Sequence, residues 1–316
     1  MFEAVINPAG AGGRTKSAWT ETKQYLEQYH IQYREHLSTP EYGITDIIRD
    51  LTKDGRECDL LIVGGDGTMN EAINGIADFS KVRLAYIPSG SANDLAKALG
   101  ISSDVKKVVE SLAENQIRRR IDIGRTTLLN RAAEDGTLVE DHTVRLFNIS
   151  SGGGFDAAIC EEVQRSAAKG VLNKIHLGQL SYIFVAVHQI FTTKRTHAKI
   201  TLDHTDVREY DELLFTVGMN TAYEGGGFKF GPDADPNDGL LDLCVADHLS
   251  QWDFYRIFPY AYSGKHTSFD GVSMIKASHI EVETDMPVWI HTDGEIPGKS
   301  SHFILEIPDE KLNLMV

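Results

Sequence analysis

The sequence predicts two domains: an α/β N-terminal domain built on a parallel sheet, then a β-rich, sandwich-like domain. Three observations carry this expectation. Short continuous apolar runs alternate with helical patterns through the first third of the chain, the signature of a parallel sheet covered on both faces. Beyond Arg118 the pattern changes to many short alternating strands. The 316 residues are long for one domain and comfortable for two. The expected division is 1–122 and 123–305, with a return of the tail 306–316 to the first domain left open.

The elements follow in order. "FEAVINP" reads as a strand and Thr15 to Tyr29 as a helix; "IQYREHL" is a second strand, followed by a helix over Ile44 to Thr52. "CDLLIVGG" is a buried strand and Met69 to Ile76 a helix. "VRLAYIP" is a fourth strand, with helices at Ala92 to Leu99 and Val105 to Ala113. In the second half, "RRRIDIGRTTLL", "HTVRLFNIS", "HAKITLDH", "ELLFTVGMNT", "LLDLCVADH", "HIEVETD" and "VWIHTDG" read as strands. Helical patterns at Ala157 to Ala168 and Leu177 to Phe191 interrupt them.

Composition excludes several classes. A formal net charge of -15 leaves no basic footprint for nucleic acid. Three scattered cysteines make neither a disulfide framework nor a zinc site, and fit a reducing cytosol. The start, "MFEAVINPAG", lacks a signal-peptide pattern, and "YIFVAVHQIF" is too short to span a bilayer. The expected location is the cytoplasm. Oligomeric state, a homodimer included, stays open.

The chemistry begins at "LLIVGGDGTMNEAINGI". A strand ends at Gly64-Gly65-Asp66-Gly67-Thr68 and a helix follows. Glycines let backbone N–H groups approach a ligand, and a helix start favours anions. An acid at the centre should repel a phosphate. Asp66 makes sense if Mg²⁺ stands between it and the phosphates; the competing reading is a helix cap or a turn former. No Gly-Lys-Ser/Thr follows, so this is not a P-loop, nor is it Gly-x-Gly-x-x-Gly. "NPAGAGGR" after the first strand and "PSGSANDLAKALG" after the fourth repeat the device. Three loops thus gather at one sheet edge, where open parallel sheets bind ligands.

These segments, with "GGGFDA", Gly225-Gly226-Gly227, "DADPNDGLLDL" and Asp293-Gly294-Glu295, run in one order across nearly the whole chain. In them the chain resembles the diacylglycerol kinase catalytic-domain superfamily, in its soluble bacterial lipid kinase branch. The resemblance implies an NAD-kinase/phosphofructokinase-like nucleotide domain, a lipid-binding β-rich domain, and an active site in the cleft between them. ATP would be the phosphoryl donor and Mg²⁺ the cofactor. Asn7, Pro8, Gly10, Gly12, Gly13 and Arg14, with Gly64, Gly65, Asp66, Gly67, Thr68, Asn70 and Glu71, would line ATP. Thr39 matches a nucleotide-contacting threonine, or caps the helix after Pro40. Ser91 stands where the family has threonine and keeps a hydroxyl. Asn93 and Asp94 would brace their loop.

In the second domain the resemblance points to Asp293 as the base that takes the proton from a lipid hydroxyl. The plainer reading is an Asp-Gly hairpin turn. His291 reads as an ordinary strand residue. The resemblance also implies a structural Mg²⁺ on Asp235, Asp238 and the backbone carbonyl of Leu240, against a solvated turn.

Charge is unevenly distributed. Val163 to Leu202 contains no aspartate or glutamate but holds Arg165, Lys169, Lys174, Lys194, Arg195 and Lys199. Such a segment could dock on anionic lipid at the inner membrane face; the alternative packs the Leu177 to Phe191 helix in the core. The reading that results is an ATP- and Mg²⁺-dependent lipid kinase, diacylglycerol its leading acceptor. An NAD kinase and a non-catalytic lipid- or nucleotide-binding regulator are the rivals.

Overall fold

The computed structural model describes residues 1–168, 190 and 192–316. The helix expected over Leu177 to Phe191 lies almost wholly outside the described residues, as do Lys169 and Lys174. Two compact units divide the chain: Met1–Ile123 with Asp309–Val316, and Gly124–Pro308.

In the first unit the order is β1 (Phe2–Ile6), α1 (Arg14–Gln28), β2 (Tyr33–Leu37), α2 (Ile44–Thr52) and β3 (Cys58–Gly64). Then come α3 (Asp66–Ile73), β4 (Val82–Pro88), α4 (Asp94–Leu99), α5 (Val105–Leu112) and β5 (Arg119–Asp122). The described strands form one six-stranded sheet, in which β2, β1, β3 and β4 run parallel. Leu60, Leu61, Ile62 and Val63 of β3 are all fully buried, as a central strand covered on both faces requires. Helix α2 buries Ile44, Ile47 and Ile48, and α5 buries Val105, Val108, Val109 and Leu112. These i, i+3, i+4 stripes face the sheet and leave the charges outside. The C-terminal strand Lys311–Leu314 lies between β4 and β5, parallel to the first and antiparallel to the second.

In the second unit, β6 (Gly124–Leu128), β7 (Asn130–Ala132), β8 (Leu138–Glu140), β9 (Val144–Phe147) and β10 (Ser150–Gly154) precede α6 (Phe155–Ala168). There follow β11 (Thr196–Leu202), β12 (Asp206–Met219), β13 (Leu241–Asp247), α7 (Gln251–Ala261), β14 (Val272–Ala277), β15 (His279–Thr292), β16 (Glu295–Glu306) and β17, the C-terminal strand named above. Strands β10 and β11 both lie between β12 and β15, pairing with different halves of each. Strand β13 shows why "LLDLCVADH" is apolar from Leu243 to Ala246. Leu241, Leu243 and Val245 enter one core with Ile280 and Phe303, while Cys244 and Ala246 enter a second with Phe215 and Phe254 of α7. A two-sided strand has no polar face to show.

The runs "HIEVETD" and "VWIHTDG" are one strand, β15, rather than two; its register against β16 shifts between Glu283 and Val288. A bulge accommodates Pro287, which cannot donate to the ladder.

Candidate functional site

The three glycine loops of the first unit interlock. A Cβ on Gly65 would stand 2.9 Å from Gly90 Cα, and one on Gly90 2.6 Å from Gly65 Cα. Both positions therefore need glycine for the loops after β3 and β4 to touch. The Arg14 guanidinium donates to Ser91 Oγ at 2.6 Å, and Ser89 Oγ donates to Thr15 Oγ1 at 3.0 Å, which tie in the first loop. Asn7 Oδ1 accepts the Ala9 N–H at 3.2 Å and holds the turn at Pro8. Gly10 closes that turn, its N–H donating to the Asn7 carbonyl at 3.0 Å. Gly12, Gly13 and Gly67 are exposed with open space over them.

Asp66 caps a helix, but not its own. Its carboxylate accepts the N–H of Asp94 at 3.0 Å and of Leu95 at 3.3 Å. Those groups open α4, whose N-cap residue Asn93 is left-handed (φ 53°) and gives no side-chain cap. Asn93 instead closes the loop on Gly90, accepting its N–H at 2.8 Å and donating to its carbonyl at 3.2 Å. The Tyr86 hydroxyl is buried without a hydrogen-bond partner. Burial, then the charges of Asp66 and Asp94, hold it well above the usual phenol range.

Several expected nucleotide residues face inward. Asn70 is fully buried, because α3 turns it toward the core, and it accepts from Asn74. Gly64 is covered by Thr68, only 2.4 Å from where a Cβ would be. These positions shape the loop rather than present a surface. The Glu71 carbonyl accepts from Thr45 of α2 at 2.9 Å. Thr39 is exposed and its hydroxyl accepts the Tyr42 N–H at 3.2 Å. It does not cap α2, whose N-cap is Gly43.

In the second unit, Asp293 and Gly294 form the two-residue hairpin between β15 and β16, with φ 50° and 85°. Two positive φ values match the twist of the strands. The Asp293 carboxylate also accepts three backbone N–H groups, from Asn148 (2.8 Å), Ile149 (2.8 Å) and Ser150 (3.0 Å). Backbone donors thus engage both oxygens of this carboxylate. The turn reading of Asp293 therefore holds in the fold, whatever further part it plays.

Three residues that no motif linked meet here. His291 Nε2 donates to Asp156 Oδ2 at 2.9 Å and lies 3.6 Å from Glu224 Oε1; one ligand-capable atom of each lies within 4.8 Å of the others. The imidazole is fully buried, so it is no ordinary strand residue. Burial opposes its charge, yet Asp156 and then Glu224 push it up to about 9. Burial, resisted by His291, pushes Glu224 up to about 7. One contact opposes the imidazolium: the Gly294 N–H faces Nδ1 at 3.4 Å. At a spacing that could also hold a metal ion, two acids are thus set against one imidazole in this cluster. Gly154 makes it possible: at φ 112°, a Cβ would lie 2.5 Å from the Leu214 carbonyl oxygen, and Asp156 follows in the first turn of α6. Glu224 is set by the Gly225–Gly227 turn, which Glu224 and Phe228 close with paired backbone bonds of 2.9 and 3.0 Å.

Asp156 and Glu224 also border a cavity of 120 Å³. Its other walls are mostly apolar, among them Phe155, Phe215, Phe228, Phe254 and Ile257, with His266 a further titratable imidazole.

The "DADPNDGLLDL" turn is held by protein donors. Asp235 accepts from Asn237, and Asp238 accepts the Leu240 N–H at 3.0 Å. The Lys276 ammonium donates to Asp238 at 2.8 Å and lies 3.2 Å from Asp242. A cation is already present at this turn. The basic segment is likewise partly neutralised: Arg165 pairs with Glu162, Lys199 with Glu283 at 2.7 Å, and Arg195 donates to the Leu249 carbonyl. Strand pairing brings Glu283 to Lys199, an acid the linear segment lacks.

Comparison with known proteins decides the family. The family described as "Diacylglycerol kinase catalytic domain" matches residues 2–126, and "YegS C-terminal NAD kinase beta sandwich-like domain" matches residues 149–316. The chain belongs to the diacylglycerol kinase family. The kinase is 28% identical over 313 residues to a diacylglycerol kinase of Bacillus subtilis, covering 98% of this chain and 92% of that one. It is 27% identical over 292 residues to one from Mycobacterium tuberculosis, covering 92% and 87%. Its fold resembles a crystal structure titled as a diacylglycerol kinase from Bacillus anthracis (TM-score 0.66, 19% identity, 98% and 94% coverage). It also resembles an NAD kinase from Archaeoglobus fulgidus solved with ATP (TM-score 0.52, 11% identity, 98% and 92%). The kinase is thus a phosphotransferase on the two-domain NAD kinase-like fold. No helix among its described residues is long and apolar enough to cross a membrane.

Proposed function

We propose that the kinase transfers the γ-phosphoryl group of ATP to the hydroxyl of a membrane lipid, with diacylglycerol the leading acceptor and phosphatidic acid the product. The observation that carries the acceptor is the apolar cavity bordered by Asp156 and Glu224. An acyl chain needs aromatic and aliphatic walls, and its polar head needs hydrogen-bonding groups at one end. NAD would need polar contacts along its riboses and rings, and these walls offer few.

ATP is assigned to the loops of the first unit. Gly12, Gly13 and Gly67 leave backbone open to phosphate oxygens, and Arg14 adds charge. The carboxylates of Asp66 and Asp94, both close enough to raise the buried Tyr86 phenol, would supply hard oxygen ligands for Mg²⁺. When bound, Mg²⁺ would neutralise the phosphates against these acids. In the second unit the acceptor hydroxyl hydrogen-bonds to the Asp156–His291–Glu224 cluster. The Asp293 carboxylate takes the hydroxyl proton as the transfer proceeds.

Filling the cavity tests the reading. Ala246 lines it and is fully buried. Ala246→Phe should raise KM for a long-chain diacylglycerol while leaving ATP affinity unchanged. A melting temperature within roughly 3 °C of wild type certifies that the ring occupies existing space. Unchanged KM in such a folded variant would remove the cavity from the acceptor site.

A further inference from the structure

Helix α7 has two faces with opposite tasks. Phe254, Ile257 and Ala261 turn inward and, with Phe258, wall the apolar cavity. The outward side chains are also aromatic: Trp252 is 82% exposed, Tyr262 58%, Tyr260 46% and Tyr255 36%. They are Trp and Tyr, which pair an apolar ring with a polar tip. That is the side-chain type that gathers where a bilayer meets water. Their rings are organised: Trp252 and Tyr255 lie 6.3 Å apart, and Tyr260 packs on Phe269 at 5.1 Å. At 11 residues the helix is too short to span a membrane and suited to lying on one.

The local charge fits the same partner. The chain carries -15 overall, yet Arg256, Lys265 and Lys229 surround this helix. Lys229 is joined to it through a backbone bond of 2.9 Å to the Ala261 carbonyl. The acid of the helix, Asp253, is committed to its capping box, accepting the Ser250 N–H at 3.1 Å and hydroxyl at 2.6 Å. Asp270 stands beyond Phe269, past the aromatic row.

We infer that the exposed face of α7, extended by Tyr262, docks on the surface of an anionic phospholipid bilayer. The cavity walled by the other side of the helix then lies about 10 Å, one helix diameter, from the lipid headgroups. The surface rests on the lipid-kinase reading for its purpose, and its test is separable from that reading.

The full chain is mixed with phosphatidylcholine vesicles containing phosphatidylglycerol, with and without brominated acyl chains. Trp252 fluorescence should be quenched by the brominated vesicles, and Trp252→Phe, made in a Trp289→Phe background, should abolish most of that quenching, because Trp19 is buried and Trp289 is only half-buried. The variant Trp252→Ala/Tyr255→Ala/Tyr262→Ala should partition onto vesicles about tenfold more weakly. It should still phosphorylate dihexanoylglycerol, which is monomeric in water, at the wild-type rate. Wild-type partitioning by the triple variant, or quenching that survives Trp252→Phe, would overturn the docking surface. So would a dimer in sedimentation equilibrium that the triple variant breaks, since a second copy would then cover the patch. If dihexanoylglycerol and every other lipid go unphosphorylated, the kinase reading fails while the quenching still decides the surface.

Discussion

The Asp66 carboxylate caps α4 from 28 residues away, accepting the N–H groups of Asp94 and Leu95. This contact gives the acid of the glycine loop a structural task besides any metal. The two tasks separate by substitution. Asp66→Ala should lose about 1 to 2 kcal/mol of stability along with transfer activity. Asp66→Asn keeps an acceptor for the cap, so it should recover most of the stability and none of the Mg²⁺-dependent activity. Urea unfolding beside a transfer assay reads both. Equal stability of the two variants would remove the cap.

Asp293 presents the same division. Asp293→Ala strips three backbone N–H groups of their acceptor, and each hydrogen bond to a charged group is worth about 1.5 to 3 kcal/mol. It should be severely destabilised. Asp293→Asn keeps one acceptor oxygen and should fold, with kcat lowered about 100-fold or more if the carboxylate accepts the proton. A folded Asn variant with wild-type kcat would leave Asp293 as a hairpin lock alone.

The first sheet was legible because its strands are continuous and its helices periodic: α2 spans Ile44–Thr52 as the pattern predicts. The Asp156–His291–Glu224 cluster was not. Its members stand 68 and 67 residues apart in sequence, and only the pairing of β10 with β15 brings Asp156 under His291. Helix α7 was missed because its aromatic residues lie on both faces and blur the period. The local signal was Ser250 with Asp253 three residues on, which proved to be a capping box. The loop residues Asn70, Gly64 and Thr68 were recognisable as a group, but sequence did not show which side chains turn inward.

The cluster predicts a pH dependence. Glu224 has a folded value of about 7 against an ordinary 4.5, and His291 about 9 against 6.5. In both windows the folded state binds more protons than the unfolded, so stability falls as pH rises. The His291 contribution is complete below about pH 6.5 and lost through pH 9. Melting temperature should decline between pH 5 and 9, with Glu224→Gln flattening the lower part and His291→Gln the upper. A rising profile in the wild type contradicts the cluster.

Lys276 predicts a metal-independent turn. With its ammonium on Asp238 and near Asp242, chelation of divalent cations should leave the melting temperature of the ATP-free protein unchanged. Lys276→Met should lower stability by about 1 to 3 kcal/mol, since it leaves two acids facing each other. Added Mg²⁺ should then restore part of the loss. A large fall on chelating the wild type would show that a metal, not the lysine, holds this turn.

The most direct test of the account is phosphoryl transfer from γ-labelled ATP with Mg²⁺, offered dioleoylglycerol in mixed micelles and NAD in the same buffer. Labelled phosphatidic acid with no labelled NADP is the predicted result. Labelled NADP without lipid product would contradict the assignment of the second unit to a lipid acceptor.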